Sequence, residues 1–131
     1  MAEPLVRDLM HAGIVSCAPE TPMPEVARQM NANDVSALAV VNAEGNLVGV
    51  ISRTDLVVLR AHEEFWHGLR AEHVMHQDVM CVTPDTPLNE ALNMLIVRRI
   101  HRLFVVDECG EHAKPIGVLS MTDIVRDMAK E

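Results

Sequence analysis

Apolar residues along the chain fall in short, strand-sized blocks separated by stretches of helical period. Ile14 to Cys17, Ala37 to Val41 and Leu47 to Ile51 are β-like runs, and Asn42-Ala43-Glu44-Gly45-Asn46 between the last two reads as a hairpin turn. Pro19 to Pro24 is a proline-punctuated entry to a helix from about Pro24 to Asn31, and Ser52 opens another that reaches about Glu64. The same order returns downstream. Val79 to Val82 is a strand, Leu88 to about Arg99 a helix, Leu103 to Val106 and Ile116 to Leu119 are strands around a longer turn, and a last helix starts at Thr122.

The residues repeat along with the elements. At an offset of 65, Met10-His11 recurs as Met75-His76, Pro19 as Pro84, Thr21-Pro22 as Thr86-Pro87, Val40-Val41 as Val105-Val106 and Gly45 as Gly110. Past that glycine the offset is 68, and GVISRTD at 49–55 becomes GVLSMTD at 117–123. Three residues near Glu111, His112 and Ala113 are therefore inserted in a loop, where insertions cost little. The expected fold is α/β (α+β): two tandem βαββα repeats, about 5–61 and 71–130, joined by a linker of about 62–70. A unit of about 60 residues does not easily bury both faces of so small a sheet. The two copies are expected to form one module over 1–131, packed about a pseudo-twofold axis with small sheets flanked by helices.

Composition narrows the function classes. Of 131 residues 49% are hydrophobic, which suits a folded core, and 11 basic against 19 acidic residues give 11 − 19 = −8. That balance, with Phe65, Trp66 and Phe104 the only aromatics, argues against a nucleic-acid partner. No run approaches the roughly 20 apolar residues of a membrane span, and Met1-Ala2-Glu3-Pro4 lacks the start of a secretory signal, so a cytoplasmic protein is expected. Cys17, Cys81 and Cys109 are an odd number without CxxC spacing and read as reduced, mostly buried thiols. Neither His62 with His67 nor His73 with His76 brings a third ligand at a recognised spacing, so no metal is expected. Met10, Met30, Met75 and Met94 read as core filling. None of the G-x-S-x-G, P-loop or H-E-x-x-H motifs occurs, and no enzymatic activity or catalytic cofactor is expected.

Val6-Arg7-Asp8-Leu9-Met10, Pro19-Glu20-Thr21-Pro22, Val40-Val41-Asn42 and GVISRTDL, with IHRLFVVD at 100–107 and GVLSMTDI in the second copy, resemble the cystathionine-β-synthase (CBS) domain. Two copies in the same order resemble a CBS pair, or Bateman module, over nearly the whole chain. The resemblance implies a regulatory sensor of adenine nucleotides (AMP, ADP or ATP), or of S-adenosylmethionine or NAD(H), binding between repeats. It also implies a homodimer of modules and an unidentified regulated protein partner.

In the repeated G-h-h-S-x-T-D element, Gly49 suits close backbone approach, and Ser52 and Asp55 flank the first turn of a helix. Unpaired N–H groups there attract anions, yet a carboxylate repels phosphate. Asp55 is better suited to accept from a ribose diol, with Ser52 or Thr54 supplying hydroxyls nearby; Ser120, Thr122 and Asp123 repeat the set. The resemblance assigns the ribose to both aspartates. Helix capping, Ser52 with Asp55 three residues on, explains the same residues without a ligand.

Arg98-Arg99-Ile100-His101-Arg102 concentrates cations, either to suit the negative pole of a helix or to bind phosphate. By the resemblance, His101-Arg102 matches a phosphate-contacting pair in the gamma subunit of AMP-activated protein kinase and completes one site with Asp55. The matching Val35-Ser36-Ala37 carries no cation, leaving Arg53 as the candidate near Asp123; its own counterpart is Met121. Ser16, where the family usually has Thr, is Cys81 in the second copy. Unequal sites follow, with the Asp55 site the stronger for a phosphorylated ligand. Ile14, Val15, Ile51, Val79, Met80 and Val118 are candidates for an adenine slot or simply for the core. A rival reading is a protein-interaction scaffold with a vestigial pocket, using Phe65-Trp66, which otherwise covers the seam between repeats.

Overall fold

The computed structural model describes residues 3–130; Met1, Ala2 and Glu131 lie outside the described residues. The elements are α1 (Val6–Leu9), β1 (His11–Ala12), β2 (Ser16–Cys17), α2 (Met23–Asn33), β3 (Ala37–Val41), β4 (Leu47–Ser52), α3 (Arg53–His62), a 3-10 turn (Trp66–Gly68), α4 (Ala71–Val74), β5 (Cys81–Val82), α5 (Leu88–Arg98), β6 (Arg102–Val106), β7 (Pro115–Ser120) and α6 (Met121–Met128). The α/β architecture of two repeats matches the sequence pattern. The short helices α1 and α4 do not show in that pattern, because four residues are too few to display a period.

Two compact units form: Val15–Val79, and the residues up to Ile14 together with those from Met80 onward. In the first, β2 runs parallel to β3, which pairs antiparallel with β4. Helix α2 buries Met23, Val26 and Met30, three or four residues apart, against Leu38, Val40 and Ile51. It ends at Asp34, whose φ of 51° is left-handed. In the second unit the sheet order is β1-β7-β6-β5, and Val6, Ala91, Leu95, Leu103, Val105 and Leu119 form the core. Helix α5 ends on Arg99 at φ 55°, the positional match of Asp34.

The compact units are offset from the sequence repeats, because each repeat lends its opening segment to the unit built on the other. Val6 N and Arg7 N donate to Thr86 O and Pro84 O, while Ala71 N and Glu72 N donate to Thr21 O and Pro19 O, the same bonds shifted by the repeat. Leu5 bridges Pro87, and Arg70 bridges Pro22. β1 then pairs with β7, His11 opposite Val118, and His76 forms the equivalent bridge to Val50. Hydrophobic pattern cannot announce this exchange, since both opening segments carry the same pattern.

The expectation for the cysteines needs correction. Cys81, at the start of β5, is joined by a disulfide to Cys109 in the loop after β6, and Cys17 alone is a free, buried thiol. The two partners are 28 residues apart, with their Cα atoms 6.3 Å from each other, and no local spacing motif marks the pair. Burial raises the Cys17 thiol's pKa, with a hydrogen bond to Thr21 opposing. The inserted residues lie in the β6–β7 loop, where Ala113 is buried. No described helix is long and apolar enough to cross a membrane.

Candidate functional site

Each repeated motif places its serine at the end of a strand and its aspartate in the first turn of the helix that follows. Ser52 ends β4 in extended conformation, its Oγ accepting from Asp55 N at 3.2 Å and its N–H donating to Asp55 Oδ2 at 2.8 Å. Ser120 repeats this at the end of β7: its Oγ accepts from Asp123 N at 3.1 Å, and its N and Oγ donate to Asp123 Oδ2 at 3.0 and 2.8 Å. Both helices therefore start with a reciprocal capping box. Capping ties up Oδ2 in each case and holds the carboxylate at the helix's positive pole.

Histidines from the repeated Met-His pairs complete the arrangement. Asp55 Oδ1 accepts from His76 Nε2 at 2.7 Å, and Asp123 Oδ2 accepts from His11 Nδ1 at 3.1 Å. Since a carboxylate only accepts, the imidazole nitrogen donates in both pairs. The glycine heading each motif makes the approach possible. A Cβ on Gly117 would lie 2.6 Å from His11 O and from Met10 Cε, and one on Gly49 would lie 2.5–2.9 Å from three side-chain atoms of Met75. The close approach inferred for Gly49 is thus made by the opening segment of the second repeat. The recurrence of Met-His at an offset of 65 was the sequence signal for these histidines; its role was not legible because the exchange of opening segments was not.

The other candidates divide between the units. With Asp55 stand Ser52, the exposed Thr54 in the same turn, and half-buried Ser16 on β2. Arg53 is drawn to Asp34, Nη2 to Oδ1 at 3.3 Å, an exposed pair that offsets an acidic residue at the α2 C-terminus. With Asp123 stand Ser120 and the exposed Thr122, and Arg126 Nη1 lies 3.9 Å from Asp123 Oδ1. His101 and Arg102 belong to this unit too: Met121 N donates to His101 O at 2.9 Å, and Arg102 pairs opposite Ser120. Their backbone therefore lies where the Asp123 helix starts. Cys81 is committed to its disulfide and offers no counterpart to the Ser16 hydroxyl.

Among the proposed adenine-slot residues, Ile51 is fully buried and Val118 9% exposed, which makes them core. Ile14, Val15, Val79 and Met80 are half-buried. Asp55, His73 and His76 line an open cavity of about 340 Å³ with Val58, Leu59 and Val74. Among the described residues, no three His, Cys, Asp or Glu side chains are grouped to hold a metal ion.

The CBS domain family matches residues 6–62 and 71–130. The chain belongs to the CBS-domain family. Both matched segments end with the capped helix just described, so the CBS repeats account for nearly all of the chain. It is 34% identical over 99 residues to 5′-AMP-activated protein kinase subunit gamma-3 of Sus scrofa, covering 70% of this chain and 19% of that protein. It spans 61% of a Methanopyrus kandleri protein to which it is 27% identical. The chain thus spans less than two thirds of these relatives' lengths. CBSX2, solved in complex with AMP, superposes with a TM-score of 0.85 at 26% identity, covering 97% of both chains. The CBS domain pair of MJ0100, solved with 5′-methylthioadenosine and S-adenosyl-L-methionine, gives 0.87 at 21% identity over 98% of both chains.

Proposed function

We propose that this CBS pair is a non-catalytic regulatory module that binds an adenosine-containing ligand, AMP, ADP or ATP foremost, with Asp55 and Asp123 accepting from the ribose. The observation that carries this is the duplicated carboxylate, held by its capping serine at the start of a helix and only 17% and 10% side-chain exposed. Capping alone uses one oxygen, and the remaining lone pairs are directed acceptors in a nearly dry setting, which suits a diol better than a phosphate. Support from relatives comes from CBSX2, whose structure contains AMP.

His101 and Arg102 are the proposed phosphate contacts, assigned to the Asp55 site by family resemblance. Their backbone proximity to Ser120 and Met121 makes the Asp123 site the competing assignment. Exposed apolar residues on three helices, Val57 and Val58, Ile96 and Val97, Val125 and Met128, support association of modules into a homodimer. For signalling, the ligand must prefer one arrangement of the module over another.

A thermal-shift screen of AMP, ADP, ATP, S-adenosylmethionine and NAD(H) tests the reading. A rise in Tm with at least one of them, reduced in Asp55→Ala or Asp123→Ala, is expected; no rise with any of them contradicts it. The scaffold reading rests on Phe65, 79% exposed beside an apolar groove lined by Leu56, Val57, Ala61 and Trp66. Trp66 packs on the core of its own unit, not free as a patch. Scaffolding alone predicts association that Trp66→Ala disrupts and nucleotides leave unchanged.

A further inference from the structure

Both carboxylates proposed to hold ribose already accept from a histidine of the Met-His pair. We propose that His76 is a latch on the Asp55 site: its imidazole holds the carboxylate oxygen that capping leaves free, and a ribose diol competes with it for that oxygen. The inference rests on the nucleotide reading above and adds a gating residue to the same site.

Three observations carry it. Ser52 N–H takes Asp55 Oδ2 and His76 Nε2 takes Oδ1, so both oxygens are engaged. The two holders differ in freedom. Ser52 N–H belongs to the strand–helix junction and cannot leave without uncapping α3, whereas the His76 side chain is 68% exposed and can rotate into the cavity it shares with Asp55. The His76 backbone, by contrast, is fixed by reciprocal bonds with Val50, N to O at 2.9 and 3.0 Å. A fixed backbone with a loose, directed imidazole is a latch that can open without unfolding its segment.

The second copy serves as an internal control. His11 shares Oδ2 of Asp123 with both donors of Ser120, and Oδ1 faces Arg126 at 3.9 Å. A diol can approach Oδ1 there without displacing the histidine. His76 is accordingly a gate, and His11 is a brace. His62, Glu63 and His73 border the same cavity, but the structure joins only His76 to Asp55.

The test is titration calorimetry of AMP and 2′-deoxy-AMP on the whole chain, comparing wild type with His76→Ala, His11→Ala and Asp55→Ala. A largely exposed side-chain pair of this kind is worth about 0.2–1 kcal/mol, so His76→Ala is expected to tighten AMP at one site by roughly 1.4-fold to fivefold. The gain should be smaller or absent with 2′-deoxy-AMP and in His11→Ala, which a merely structural role of His76 would not produce. In wild type, the His76 ring resonances should move as AMP saturates the site and stay put in Asp55→Ala; this reading does not depend on the folding of His76→Ala. AMP binding that is unchanged or weakened in His76→Ala, or ring resonances indifferent to AMP, overturns the latch. If AMP binds neither wild type nor His76→Ala, the AMP reading itself falls, and the latch with it.

Discussion

Asp55 and Asp123 are the same residue twice over, and their surroundings have diverged. Each receives a serine cap, follows a strand with a tightly packed glycine at its third position, and is met by a histidine from the opening segment of the other repeat. Around that shared frame, one has Ser16 and the other a disulfide-bonded Cys81; His76 takes the oxygen that the cap leaves free, Asp55 Oδ1, and His11 the capped one, Asp123 Oδ2. The parts that position the carboxylate match in the two copies, and the groups around it differ. The proposed phosphate contacts and the proposed His76 latch would act on different parts of a nucleotide. A phosphorylated compound and plain adenosine are therefore expected to rank the two sites differently.

The largest test of the asymmetry is the disulfide. Closing a loop with its ends 28 residues apart is worth about 3.5 kcal/mol in the chain-entropy account. Cys81→Ser should therefore lower the unfolding free energy of the unit from Met80 onward by about that much, while Cys17→Ser acts only on the other unit's packing. Denaturant unfolding with thiol counting checks this; three titratable thiols in the native, unreduced protein would contradict it.

Next come the glycines. Gly117→Ala drives a methyl to 2.6 Å from the His11 backbone oxygen, which cannot rotate away, whereas at Gly49 the nearest atoms are Met75 Sδ and Cγ, which can turn aside, and the fixed Met75 Cβ at 2.9 Å. Gly117→Ala should cost about 1–3 kcal/mol and loosen β1, with Gly49→Ala the milder of the two. Tm and amide exchange at Ala12 and Gly13 read the difference, and equal effects would remove it.

The smallest effect separates the two hairpins. Asn42 Oδ1 accepts from Glu44 N and Asn46 N at 3.0 and 2.9 Å; its match Asp107 uses a carboxylate, with Oδ1 accepting from Glu108 N and Lys114 N at 2.7 and 2.9 Å. The Lys114 N–H foremost holds the Asp107 carboxyl below the usual carboxylate range. Because the folded pKa is the lower one, the stabilisation is present above the unfolded pKa and is lost as pH falls through the folded value. Acidification into that range should speed amide exchange in the 107–114 turn and leave the 42–46 turn unchanged; equal acid sensitivity would contradict the assignment.

Much of this frame was legible in the chain. The recurrence of GVISRTD as GVLSMTD located both capped aspartates, because an N-cap serine with an acid three residues later is a local device that sequence states directly. The β-runs and hairpins were likewise set by short-range pattern. What escaped depends on long-range partners. The opening segment of the opposite repeat supplies the histidine at each aspartate, His76 being 21 residues from Asp55 and His11 112 from Asp123, and the Cys81–Cys109 bond joins a strand to a distant loop without a spacing motif. Arg53, matched in sequence to an apolar Met121, pairs with Asp34, whose own match is Arg99. That exchange of charge becomes visible only when α2 and α5 are seen to end on the same left-handed residue.

The motif aspartates are proposed to hold the ribose of an adenosine ligand. Amide chemical shifts followed during AMP titration of wild type, Asp55→Ala and Asp123→Ala test it most directly. Saturable shifts are expected around Ser52–Asp55 and Ser120–Asp123 in wild type, each set weakened about tenfold or more in Kd by loss of its own aspartate. Wild-type affinity in the Asp55→Ala/Asp123→Ala double variant, with shifts centred elsewhere, would contradict it.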